Sequence, residues 1–183
     1  MSFVSELGSI FSALRARLRG QNPDVLGVRK PERETLNGFA DWYRQVVVNK
    51  VDGLSRDDAT RVMTPTGLSP LGIVKHLAWA ETGWFRDTFG GESARGDVPV
   101  DESFVVAPDD TVESVIASYR DACEHSRRVV RAAPLLDKLS ARESSYRGRT
   151  SLRWILIHMI EETARHAGHL DIMREQIDGR TGD

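Results

Sequence analysis

Apolar residues recur at three- and four-residue steps in four stretches from Pro31 onward, the period of helices that bury one face. The first stretch runs from Pro31 to about Val51, with Leu36, Phe39, Trp42, Tyr43, Val46 and Val47 inward, and Asp52-Gly53 ends it. Asp57–Thr66 reads as a loop or short helical turn. Ser69-Pro70 then supplies an N-cap followed by proline at the first helical position, opening a helix over about Pro70–Phe89. Asp110-Thr111 caps a third helix, about Val112–Ala133, with Val115, Tyr119, Ala122 and Val129 as core candidates and Pro134 as its stop. Ser144–Thr150 is a polar turn, and Ser151 caps the last helix, Ser151–Ile177, whose stripe is Leu152, Ile155, Met159, Thr163, Leu170, Met173 and Ile177. Gly179 and a polar tail close the chain.

Ahead of these lies Met1–Gly20, with Phe3, Leu7, Ile10, Leu14 and Leu18 on one helical face, and a linker over Gln21–Lys30. The segment has neither a continuous apolar centre nor an evident cleavage site, so it reads as an accessory amphipathic helix rather than a targeting signal. No strand series or internal repeat is evident. The pattern predicts an all-α chain: N-terminal helix and linker over 1–30, a four-helix bundle over 31–178, and a tail over 179–183.

Composition narrows the function. The 183 residues carry a net charge of −2, which argues against a nucleic-acid binder working through the phosphate backbone. A single cysteine, Cys123, excludes an internal disulfide framework and fits a reducing, cytoplasmic setting; it reads as a small buried hydrophobe. No apolar run approaches the roughly 20 residues of a membrane span. A homodimer is an open expectation.

The chemistry concentrates in the last helix, which holds His158, His166 and His169 among Glu161, Glu162 and Asp171. At about 100° per residue, with the stripe centred on Met159, His166 falls roughly 20° and Glu162 roughly 60° from the centre, on the same side. His169 lies about 80° and His158 about 100° away, at the rim. Glu162 and His166 are therefore stacked neighbours one turn apart, able to share one metal ion; His166 with His169 is the competing pair. The bland reading is a hydrogen-bonded core histidine with an ion pair, but burying unpaired polar groups is costly. A third ligand is available in His76 on the second helix, giving a two-histidine, one-carboxylate set of the kind used by catalytic zinc and non-haem iron. His125, among Glu124, Arg127 and Arg128, reads as surface, and Trp79, Trp84 and Phe85 as core. The segment is not HExxH, because Glu161 does not follow His158 directly, and no phosphate loop or nucleophile elbow is present.

SPLGIVKHLAWAETGWF and SLRWILIHMIEETARHAGHLDIMRE resemble the DinB/YfiT-like superfamily of four-helix-bundle metalloproteins, closest to its mycothiol-dependent S-transferase and maleylpyruvate isomerase-like branch. The resemblance covers about Pro31–Gln176. It implies His76, Glu162 and His166 as ligands of a divalent metal, with zinc first and nickel or iron as alternatives. It also implies a low-molecular-weight thiol such as mycothiol as co-substrate, and S-transfer to an electrophile as the reaction. On that reading Gly90–Pro108 covers the substrate, and His169 or Glu81 orients a ligand or moves a proton. Arg165 meets an acidic group on the thiol cofactor or pairs with Glu161 or Glu162. A metal-dependent hydrolase using the same ion, and a non-catalytic stress or interaction protein stapled by it, are the alternatives.

Overall fold

A computed structural model describes residues 29–144 and 148–182. The expected helix over Met1–Gly20 lies outside the described residues, as do positions 145–147 of the polar turn. Four long helices carry the fold: α1 (Glu32–Val51), α3 (Pro70–Glu81, prolonged as a π-helical stretch, Thr82–Phe89), α4 (Val112–Ala132) and α5 (Leu152–Asp178); α2 (Arg56–Thr60) is one short turn. The described residues form no β-strand, only two isolated bridges, Leu139 with Ser151 and Ser144 with Gly148.

Local chemistry sets the helix ends. Ser69, Thr111 and Ser151 each accept a hydrogen bond from a backbone N–H in the first turn of the helix they open, and Thr111 forms a reciprocal box with Ser114. Gly179 closes α5 at φ 75°, a conformation that costs glycine nothing. The second helix departs from expectation. Its periodicity runs to Phe89, but α-helical bonding stops at Glu81 and the last eight residues wind as a π-helix.

The helices run up, down, down, up. Glu32 and Lys50, at the two ends of α1, pair with Arg153 and Asp171 near the two ends of α5, so those helices are parallel. Val47 and Val51, late in α1, pack with Leu71 and Val74 early in α3, Val112 and Val115 early in α4, and Leu170 and Met173 late in α5. A second apolar cluster at the other end joins Phe85 and Phe89 to Val130, Leu152, Ile155 and Met159. Because α3 and α4 are parallel, the chain between them must return the length of the bundle. That need explains why the Gly90–Pro108 connection is long. On its way it crosses the face between α3 and α5.

A polar layer separates the two clusters. Arg44 on α1 is 5% exposed and Glu81 on α3 is 1% exposed. Arg44 Nε donates to Glu81 Oε1 at 2.7 Å, its Nη2 donates to Oε2 at 2.9 Å, and Ser126 Oγ donates to Oε2 at 2.5 Å. This layer corrects one sequence expectation. Ala40, Arg44, Val47 and Val51 form the buried stripe of α1, so Phe39 points roughly 110° away from it and is 37% exposed. A charged residue at the centre of the stripe had shifted the apparent face by one position.

Candidate metal centre

Three side chains converge between α3 and α5. His76 Nε2 and His166 Nε2 each lie 3.2 Å from the same oxygen, Oε1 of Glu162, and the possible ligand atoms of the set all fall within 4.8 Å of one another. Bonds of about 2.0–2.1 Å in a tetrahedron place neighbouring donors about 3.3 Å apart, so the two nitrogen–oxygen edges already match. His76 is 4% and His166 6% exposed, and Glu162 is half-buried.

The crossover completes the surroundings of His76. Phe104 lies flat against its ring, centroids 3.9 Å apart at 8°, and Trp79 stacks at 5.7 Å. Ser103 Oγ sits 2.8 Å from His76 Nδ1 and donates to the Val100 carbonyl at 2.5 Å. Two oxygens at that separation require a hydrogen between them, so the hydroxyl proton belongs to Val100 and His76 Nδ1 must donate to Ser103. A neutral imidazole has one N–H; His76 Nε2 is then a bare lone pair facing the Glu162 carboxylate. The hydrogen bond from His166 holds that carboxyl well below the usual range, outweighing the burial that opposes ionisation. A lone pair against a carboxylate is relieved by a proton or a metal cation between them, and the donor set of two imidazole nitrogens and one carboxylate oxygen could hold a divalent metal.

Beside this set opens a cleft of about 670 Å³, bounded by His76, Trp79, Trp84, His158 and Glu162 and by Arg95, Val100 and Arg142 from the connecting segments. His158 stacks on Trp154 at 5.0 Å and meets the edge of Trp84 at 4.9 Å. The Arg95 guanidinium lies 4.0 Å over Trp79. A Cβ at Gly83 would stand 2.5 Å from Arg95 Nη1, so the glycine gives that arginine room to lie across the π-helical stretch, a feature that frequently marks functional sites.

The remaining sequence candidates fall elsewhere. Glu81 is five residues past His76 and on another face, and Arg44 and Ser126 take up its carboxylate in a buried ion pair. Arg165 is exposed and pairs with Glu161 along α5 rather than lining the cleft. His169 contacts His166 ring to ring at 5.5 Å; burial, then the charges of His166 and Arg165, lower its pKa. Cys123 is buried, and burial with the charge of Glu81 pushes its thiol well up, so it is no nucleophile at neutral pH. Phe85 is fully buried, whereas Trp79 and Trp84 are only partly so and line the cleft. Local pattern carries no signal for Ser103, Phe104, Arg95 or Arg142, since their roles depend on where the connections land.

No helix of the described residues is long and apolar enough to cross a membrane. A search of curated proteins found no match to the chain. The family model described as Mycothiol-S-transferase matches residues 35–179, a span that takes in all but the first three residues of the four long helices and every residue of the convergent set. The chain belongs to the mycothiol-S-transferase family.

Proposed function

We propose that the protein is a divalent-metal-dependent S-transferase that joins a low-molecular-weight thiol, mycothiol first, to a small electrophile. The observation that carries this reading is the convergence of His76 Nε2, His166 Nε2 and Glu162 Oε1 beside an open cleft, in a chain of this family. Three protein ligands with a position left open is the pattern of catalytic rather than structural zinc, which puts zinc ahead of nickel and iron. When bound, such an ion favours the thiolate of a coordinated thiol near neutral pH.

The residues of the chain supply the rest. Trp79 and Trp84 give the cleft flat apolar walls, while Arg95 and Arg142 offer hydrogen-bond donors at its rim. His158, held by Trp154 and Trp84 on the cleft wall, takes the proton as the thiol ionises; the thiolate sulfur then forms the bond to carbon and the leaving group departs with its electron pair. The Val100–Phe104 segment shields His76 from solvent. His169 stays a candidate for steering the His166 ring, and Arg165 for an outer contact with a long thiol cofactor. The buried single cysteine fits a cytoplasmic setting.

The test is metal content by plasma mass spectrometry on untagged protein beside His166→Ala, followed by a thiol-consumption assay with mycothiol and glutathione against an alkylating electrophile. About one equivalent in the wild type, lost in the variant, together with thiol-dependent product, is the expected result. Metal in neither protein after reconstitution with zinc or nickel would end the metal reading. Product formed equally without thiol would point to hydrolysis instead.

A further inference from the structure

We propose that Ser103 is a positioning residue of the metal centre, through which the α3–α4 crossover fixes the tautomer of His76 and so sets the metal affinity. The inference rests on the metal part of the functional reading above and not on the thiol chemistry.

The relay is directional. The Val100 carbonyl accepts the Ser103 hydroxyl proton at 2.5 Å, Ser103 Oγ accepts from His76 Nδ1 at 2.8 Å, and Nε2 is left as a lone pair aimed at Glu162. A histidine that binds metal through Nε2 needs its proton on Nδ1, and an oxygen partner there holds both the tautomer and the ring plane. Ser103 is 4% exposed, so water does not readily replace it.

Two features make the crossover part of the centre rather than a loose cover. Ser103 and Phe104 belong to one 3₁₀ turn, Glu102–Phe104, so the hydrogen bond and the flat stack on His76 arrive on the same rigid element. An added Cβ at Gly72 would stand 2.5 Å from the Phe104 carbonyl, and this close seat on α3 fixes the height of the turn. The partner imidazole has no such support. His166 Nδ1 is buried and has no hydrogen-bond partner among the described residues. Orientation by hydrogen bonding is therefore concentrated on His76, and it depends on the crossover.

The experiment uses the full-length chain, wild type beside Ser103→Ala and Ser103→Thr. Long-range proton–nitrogen NMR on the metal-free protein reads the His76 tautomer, and competition with a chromophoric chelator reads zinc affinity. The expected result is the Nδ1–H form in the wild type and loss of that preference in Ser103→Ala. Zinc affinity should weaken by about 10–100-fold, the usual effect of removing an outer-shell partner, and recover in Ser103→Thr, which keeps the hydroxyl. An Nε2–H tautomer in the wild type, or Ser103→Ala binding zinc as tightly as the wild type, overturns the proposal. Absence of zinc binding by the wild type would remove the metal reading, while the tautomer would still decide whether Ser103 orients His76.

Discussion

Arg44 and Glu81 face each other across the interior with two parallel hydrogen bonds, at 2.7 and 2.9 Å, and neither reaches solvent. Removing one partner of such a pair strands the other charge, at a cost of about 3–5 kcal/mol. Glu81→Ala should therefore lower the urea midpoint steeply, whereas Arg44→Met with Glu81→Leu together should recover most of the loss. The fraction that stays folded should hold its metal. Loss of metal from folded Glu81→Ala would return Glu81 to the site.

The ligand set should show itself in stability. An ion that binds only the folded chain, at about a hundred times its dissociation constant, adds about 2.7 kcal/mol. For a chain of this size that corresponds to a rise of roughly 5–11 °C in Tm. Scanning calorimetry with and without zinc should show this shift in the wild type and none in His166→Ala or His76→Ala. An equal shift in all three proteins would mean that zinc binds elsewhere.

Much of this architecture was open to sequence reading because it is local. Ser69-Pro70, Thr111 and Ser151 mark helix starts through bonds made within one turn, and the apolar stripe of α5 brought Glu162 and His166 into one sector of the wheel. The same wheel separates Glu81 from His76. Five residues is roughly 140° of helix, which sends the carboxylate toward α1 instead of α5. What local pattern could not supply is the landing point of the crossover. Ser103 reaches His76 across 27 positions, and nothing in the segment's own periodicity says which residue will touch the imidazole. The π-helical winding of Thr82–Phe89 was hidden for a related reason, since its apolar residues suit either period over two turns.

Asp110 ties the far end of the crossover to the bundle. Its Oδ2 accepts from Lys75 Nζ at 2.5 Å and from the Ala107 N–H at 2.7 Å. Partial burial works to raise this carboxyl, but Lys75, the Ala107 N–H and the charge of Arg56 together leave it below its ordinary value. A carboxyl lowered in the folded state stabilises above its unfolded pKa, and that stabilisation fades as pH falls through the folded value. Asp110→Asn should therefore melt below the wild type at pH 7, and the gap should narrow as pH drops below about 4. A gap that stays constant from pH 7 to pH 3 would show that the ion pair contributes nothing to stability.

His158 separates a chemical role from a packing one. Its ring lies against Trp154 at 18° and 5.0 Å and against the edge of Trp84, so His158→Phe keeps an aromatic ring in the slot and removes the proton carrier. It stands one turn before Glu162, outside the convergent set, and metal content should be unchanged. If the imidazole takes the thiol proton, kcat should fall by about 100-fold or more, the usual worth of a positioned general base, with KM for the thiol altered little. Steady-state kinetics on metal-loaded wild type and His158→Phe makes the measurement. A raised KM at constant kcat would instead make His158 part of the wall that seats the thiol, and proton removal would then fall to solvent at the mouth of the cleft.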